Sequence, residues 1–268
     1  MDQIGLMVTF IDEKGFLRFT NVGWISPSIS VSQRVIFENG TIGVIGTEFL
    51  ESIKDLKLDK LFIDIGASSK EEAEKLVSIG DIAGYYNEFL SDQTRVISPS
   101  LDDRLGCFIM IEALKQIKDP HHDLYFVFST QEEVGIRGAK TAAYGIDPDY
   151  GLAIDVTATG DTPKAKPMAV KLGAGPAIKV RDNSMLAHPV MKNYMVKQAK
   201  DNGIPYQMEV LEYGGTDSGA IHLNRSGVPS GVLSIPTRYI HSTCETCYIE
   251  DIKQSVSLAV KILENQIG

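Results

Sequence analysis

Apolar and polar residues alternate through the first third of the chain, and beyond about residue 100 the alternation gives way to apolar blocks separated by helical spacing. Residues 6–11 and 16–20 alternate on either side of Glu13-Lys14-Gly15, which predicts two strands joined by a turn. Residues 34–45 set Asn39-Gly40 between two alternating runs, predicting a hairpin with a two-residue type I′ turn in which both turn residues take positive φ. Residues 60–65 predict another short strand. Ser69 followed three positions later by Glu72 predicts a capping box that opens a helix to about residue 78. Together these elements predict a small barrel or sandwich, and none of its polar residues share a catalytic spacing.

From residue 101 onward helix and strand patterns take turns. Helices are predicted over 101–117, 137–144, 189–200, 217–224 and 249–267, and strands over 124–129, 151–156, 206–211 and 231–235. This alternation is that of an α/β layer architecture.

Composition narrows the function classes. The 268 residues are 43% hydrophobic and 23% charged, those of an ordinary globular protein with room for a sizeable core. With 35 acidic against 26 basic residues the formal charge is -9, so the chain offers no basic field to nucleic acid or to an anionic membrane surface. Its apolar runs are strand-sized and the N-terminus has no basic region followed by an apolar one, which predicts neither export nor membrane insertion. Three cysteines, Cys107, Cys244 and Cys247, form no disulfide framework and indicate the cytoplasm.

In an open α/β sheet ligands bind beyond the carboxyl ends of the strands. After residues 124–129 stands Gln131-Glu132-Glu133, within 151–156 stands Asp155, and after 231–235 stands Arg238-Tyr239-Ile240-His241. Asp102-Asp103-Arg104 opens the helix at 101. Carboxylates and an imidazole so placed are ligands that suit zinc, manganese or cobalt. The adjacent glutamates also permit a division of labour, one binding metal while the other takes a proton from metal-bound water.

Each residue has a plainer reading as well. Asp102 fits an N-cap, Glu132 and Glu133 fit a solvated helix start, Asp155 fits a buried structural hydrogen bond, and His241 fits a structural histidine. By spacing alone a metal hydrolase and a non-metal α/β enzyme are equally open. His241-Ser242-Thr243-Cys244-Glu245-Thr246-Cys247 lacks a fourth ligand for structural zinc, so its cysteines are read as incidental. Asp182, His121, His122 and His188 are read as surface or loop residues. Gly214-Gly215-Thr216, ahead of Asp217, would let backbone approach a substrate at a helix N-terminus, although a tight turn with a cap explains it nearly as well.

The strings Asp102-Asp103-Arg104-Leu105-Gly106, Gln131 through Ala139, Ala153-Ile154-Asp155-Val156, Gly214-Gly215-Thr216-Asp217 and Arg238-Tyr239-Ile240-His241 resemble, in this order, the M42 family of metallo-aminopeptidases. Residues 60–68 and 171–176 extend the resemblance over nearly the whole chain. It implies an α/β catalytic domain, a mixed sheet flanked by helices, over residues 96–268. It further implies a small all-β PDZ-like inserted domain over 5–95 and a remnant of the catalytic domain over 1–4. Two divalent ions (zinc, cobalt or manganese) are implied, with Asp102 bridging, Glu133 and His241 completing one site, Asp155 in the other, and Glu132 as general base. Short peptides are the implied substrates and a homo-oligomer, commonly a dodecamer, the implied assembly.

The family's His-x-Asp motif precedes the insertion, whereas this chain begins Met1-Asp2-Gln3-Ile4-Gly5. Asp2 matches the aspartate that orients the histidine ligand, and that histidine would lie one residue before Met1. The expectation is that a preceding segment is missing from the sequence. A 268-residue protein starting at Met1 would keep one metal at most and show weak or no activity. Two other functions compete with the aminopeptidase: a non-catalytic peptide- or partner-binding relative, and a glycosidase using Glu132 with Glu133 or Asp155.

Overall fold

The computed structural model of the chain describes residues 3–267. Among these, six strands close into a barrel: β1 (Gly5–Ile11), β2 (Leu17–Val22), β3 (Arg34–Phe37), β4 (Ile42–Thr47), β5 (Leu61–Asp64) and β6 (Ile82–Tyr85). Their spatial order is β1-β2-β5-β4-β3-β6 and all pairings are antiparallel. Two one-turn helices, α1 (Pro27–Ser30) and α2 (Lys70–Ala73), fill the connections. The period-two pattern puts Leu6, Val8, Leu17, Phe19, Val35, Phe37, Ile45 and Ile63 inside, where each fully buried side chain contributes about 1.5–3 kcal/mol.

Two local expectations in the barrel are corrected. The hairpin at Asn39-Gly40 has a three-residue connection, because Gly40 N–H donates to the Phe37 carbonyl and Phe37 N–H donates to the Thr41 carbonyl, both at 2.9 Å. Only Gly40, at φ +87°, enters the left-handed region, so one glycine closing a bulge replaces the two positive-φ residues of a type I′ turn. Helix α2 stops after Ala73, well short of residue 78. Ser69 Oγ accepts from Glu72 N–H, but the Glu72 carboxylate turns to Ser68, accepting from its N–H at 2.9 Å and its hydroxyl at 2.6 Å.

The second sheet begins with β7 (Leu90–Ser91) and β8 (Arg95–Ser98), which already pair outside the barrel. The chain continues through α3 (Leu101–Gln116), α4 (Arg137–Ile146), β9 (Gly151–Thr157), β10 (Ala177–Arg181), α5 (Pro189–Asp201), β11 (Gln207–Val210), α6 (Ser218–Ile221), β12 (Ser230–Arg238), β13 (Glu245–Tyr248) and α7 (Ile249–Glu264). The sheet order is β11-β10-β12-β13-β8-β7, with β9 also on β12. Pairs β9/β12 and β10/β11 are parallel and the others antiparallel, so the sheet is mixed, as expected. Strand β12 is buried along nearly its whole length, the mark of a central strand covered on both faces. Leu105 and Ile109 of α3, Val256 and Ala259 of α7, and Ile178, Leu233 and Ile235 of the sheet form one core.

Residues 124–129, expected as a strand, belong to no ladder among the described residues. An extended segment becomes a strand only when a neighbour presents N–H and C=O groups in register. A cavity of about 460 Å³ instead has Phe126 and Val127 of this segment on its lining together with Leu152 and Ile154 of β9. Strands β10 and β13 were not expected from the pattern; each has only four or five residues, with a polar residue inside it.

Candidate active site

Four elements converge where α3 begins: its first turn, the segment 130–136 ahead of α4, the carboxyl end of β9 and the β12–β13 turn. Asp102 and Asp103 have non-helical backbone angles, and the peptide between them is cis. Asp103 Oδ1 accepts from Gly106 N–H at 3.0 Å, the bond of an N-cap residue to a donor three positions on. Asp103 therefore takes the capping role that sequence pattern offered to Asp102, and Asp102 is left to face the neighbouring ligands. Gly106 is what lets Asp103 fold back. A methyl group there would stand 2.7 Å from the Ile154 carbonyl oxygen and closer still to the Asp103 carboxylate. Gly106→Ala is expected to destabilise the fold by about 1–3 kcal/mol, read as a lowered Tm, and to weaken metal retention in the same preparation.

Two groups of three potential ligands result, and Asp102 belongs to both. Asp102, Glu133 and His241 form one; Asp102, Asp103 and Asp155 form the other; within each, the ligand atoms lie within 4.8 Å of one another. His241 Nε2 is 3.0 Å from Asp102 Oδ2 and 3.2 Å from Glu133 Oε1. Atoms held at about 2.0–2.2 Å from one zinc ion stand about 3–3.5 Å apart, so this triad has the spread a single ion needs. In the second group Asp103 Oδ2 is buried with no hydrogen-bond partner among the described residues. Oxygen-rich donors with one imidazole fit divalent ions such as zinc, cobalt or manganese.

The electrostatics show how poorly these groups tolerate one another. Burial, then the charges of Asp102 and Glu132, push the Asp155 carboxyl well above the ordinary carboxylate range, against a partial offset from Lys179. Burial and the charges of Asp155 and Asp102 do the same to Asp103. Burial on its own would favour a neutral imidazole at His241, but hydrogen bonds to Asp102 and Glu133 raise it to about 10. Burial and the Asp102 charge push Glu245 up to about 8. Crowded carboxylates of this kind are stabilised by bound cations, whose charge dominates such a site.

Backbone strain collects here too. Ser100, Gln131, Tyr239 and His241 have φ of 58°, 58°, 60° and 62°, each at or within two residues of Asp102, Glu133 or His241. Non-glycine residues in that region cost about 1–3 kcal/mol and persist where their surroundings over-determine them.

The barrel closes one side of the site. The loop after β2 brings Gly23 so near Glu133 that a methyl group at 23 would stand 3.0 Å from Glu133 Cβ, and Trp24, 64% exposed, lies with its ring 5.9 Å from that of His241. Gln33 accepts from the Thr243 hydroxyl at 2.9 Å, and Gln3 Oε1 accepts from Ser100 Oγ at 2.8 Å and Arg104 Nη2 at 2.9 Å. On another side Arg238 grips Asp161 through two bonds of 3.0 and 2.7 Å, holding the segment before β10 against the end of β12.

Among the sequence-derived candidates, Asp102, Glu133, Asp155 and His241 fall into the two ligand groups, and Glu132 bears on Asp155 electrostatically. Asp2 lies outside the described residues. Gly214, Gly215 and Thr216 fall in neither ligand group; Gly215 packs on Ser184, whose Cβ would be 3.1 Å from an added methyl group, and Thr216 N–H donates to Ser184 Oγ at 3.4 Å. Asp182 is corrected from surface to interior: it is 2% exposed, accepts from Ser184 and Met185, and stands 3.6 Å from Lys179 Nζ, which is 2.9 Å from Glu209 Oε1. Cys247 is buried, Cys244 exposed, and neither joins a metal-capable group among the described residues. In the sequence Asp103 and Glu245 stand out only as members of longer strings, and Trp24 and Lys179 not at all; Glu245, Trp24 and Lys179 each meet a partner distant along the chain.

A family model described as M42 glutamyl aminopeptidase matches residues 1–258. The lysyl aminopeptidase of Pyrococcus furiosus is 36% identical over 277 residues, spanning 98% of this chain and 79% of that protein. Among solved structures, an aminopeptidase from the archaeon Desulfurococcus kamchatkensis superposes with a TM-score of 0.94 at 41% identity, covering 98% of this chain and 77% of that one. The Pyrococcus horikoshii TET1 peptidase, which can assemble into a tetrahedron or a large octahedral shell, gives a TM-score of 0.86 at 37% identity, covering 99% and 82%.

Proposed function

The chain belongs to the M42 glutamyl aminopeptidase family, and from that membership we propose that it removes the N-terminal residue from short peptides at a site for two divalent ions. The observation that carries this reading is the sharing of Asp102 between two ligand groups, the arrangement a paired-metal centre requires. Carboxylates converging on a common point also serve cations better than the separated pair that glycosidic cleavage uses.

Two ions would supply Lewis-acid polarisation of the scissile carbonyl and acidification of water. Asp102 would be common to both, Glu133 and His241 would complete one set, and Asp155 with Asp103 beside it would serve the other. Glu132 would hold at its carboxylate the proton given up by the attacking water and return it to the leaving amine. Trp24 and Tyr239, both exposed at the rim, would flank the arriving peptide. A free α-amino group, being cationic, is favoured by so acidic a pocket, whereas an acylated one is not. The test is product analysis: a tripeptide with a free N-terminus should release single amino acids in order, and its N-acetylated form should stay intact. Cleavage of both at similar rates would remove the exopeptidase reading.

The barrel is read as the family's inserted PDZ-like unit, serving access and self-assembly into a homo-oligomer. Phe49 and Ile53, 94% and 78% exposed in the connection between β4 and β5, support such a role.

Proton linkage follows from the raised His241. In the metal-free protein the imidazole keeps its proton at neutral pH, and Nε2 can coordinate only after losing it. Metal binding at pH 7 is therefore expected to release about one proton or more per chain, and apparent affinity to rise with pH until about 10. Calorimetric titration in buffers of different ionisation enthalpy measures this directly. Binding without proton release would contradict it.

A further inference from the structure

Glu245 is 1% exposed, lies on β13, and has no counterpart in the ligand groups. Its two carboxylate oxygens are each used once: Oε2 accepts from Asp102 N–H and Oε1 from His241 N–H, both at 2.8 Å. These two backbones are 139 positions apart in sequence, yet their side chains meet at 3.0 Å. We propose that Glu245 is a positioning residue for the metal centre, a clamp that fixes the backbones of Asp102 and His241 relative to each other; this rests on the metal-site reading above.

Three observations point the same way. A carboxylate only 1% exposed, placed beside other carboxylates and satisfied by backbone N–H groups, is a costly choice for stability alone, since removing a charged group from water is unfavourable. The backbones it holds are those that need holding, since His241 and Tyr239 lie in the left-handed region and Ser100, two residues before Asp102, does so as well. Among the described residues neither N–H has a backbone acceptor of regular structure: Asp102 precedes the regular part of α3, and His241 lies in the turn between β12 and β13. Sheet pairing then fixes the clamp itself, with Glu245 opposite Ser98 of β8.

The test is Glu245→Gln, which preserves size but replaces one acceptor by an NH₂ donor facing one of the two N–H groups. Partners of metal ligands change affinity by about 10–100-fold when lost. Competition with a chromophoric chelator, using Co²⁺ or Zn²⁺ on the folded full-length chain, should show a loss of that size for the ion at Asp102, Glu133 and His241. The visible absorption of bound Co²⁺ should change as well. Wild-type affinity and spectrum in Glu245→Gln would overturn the clamp. Glu245→Asp, which withdraws the carboxylate by one methylene, is the second variant should Gln prevent folding; wild-type affinity there overturns it equally. Wild type and His241→Ala run alongside keep the two claims apart. If wild type fails to bind, or His241→Ala binds normally, the metal-site reading fails; if those behave as expected and both Glu245 variants bind normally, only the clamp fails.

Discussion

Glu132→Gln is expected to lower kcat on a free-amine peptide by about 10²–10⁴-fold, the usual contribution of a positioned general base, while leaving metal content unchanged. That loss corresponds to about 3–5 kcal/mol of barrier. The amide retains the size and most of the polarity of the carboxylate but cannot accept a proton from water. Glu133 is the control, because the neighbours differ in role: Glu133 Oε1 sits 3.2 Å from His241 Nε2, within a ligand triad, whereas Glu132 bears on Asp155. Glu133→Gln should therefore lose metal together with activity. Steady-state kinetics paired with elemental analysis separates the two outcomes. Equal metal loss in both variants would mean that Glu132 is a ligand and that the base lies elsewhere.

Asp102→Asn should be the more damaging change for metal binding. Asp102 is the one residue in both ligand groups, so a single neutralisation weakens both sites. Each ion is expected to lose more than about 10²-fold in affinity, beyond what loss of an outer partner costs, and peptide hydrolysis should fall below detection. Collapse of the fold is not expected to be the cause. Burial first, and the Asp102 charge after it, raise Asp103, Asp155 and Glu245, so removing that charge relieves part of the strain on all three. Circular dichroism should thus match the metal-free wild type. An Asp102→Asn protein that retained both ions would refute the shared-ligand geometry.

How far the chain could be read without its structure depended on the range of each interaction. The barrel was visible because period-two alternation is local, and Leu6, Val8, Leu17 and Phe19 mark its inner face directly. The α/β alternation after residue 101 was visible for the same reason. Asp102, Glu133, Asp155 and His241 could be gathered because each stands at a strand end or a helix start, where α/β sheets bind ligands. The failures are nonlocal. Residues 124–129 have strand composition, but pairing depends on a neighbour that the pattern does not name. Asp182 lies in a loop by sequence, yet it is buried beside Lys179 on β10, whose ammonium also meets Glu209 on β11. Glu245 was hidden between Cys244 and Cys247, whose thiols drew attention as zinc ligands, and its role depends on two backbone donors far from it in the chain. Sequence pattern offers the cap to Asp102, whereas the Gly106 N–H donates to Asp103, a choice between neighbours that pattern does not resolve.

The measurement that bears most directly on the central claim is metal content per chain, taken with amino-acid release from a short peptide before chelation, after it, and after metal is restored. In a protein that carries the His-x-Asp histidine ahead of Met1, the paired site predicts about two divalent ions per chain, loss of release on chelation and recovery on return of zinc, cobalt or manganese. Full release from a chelated, metal-free protein would contradict it.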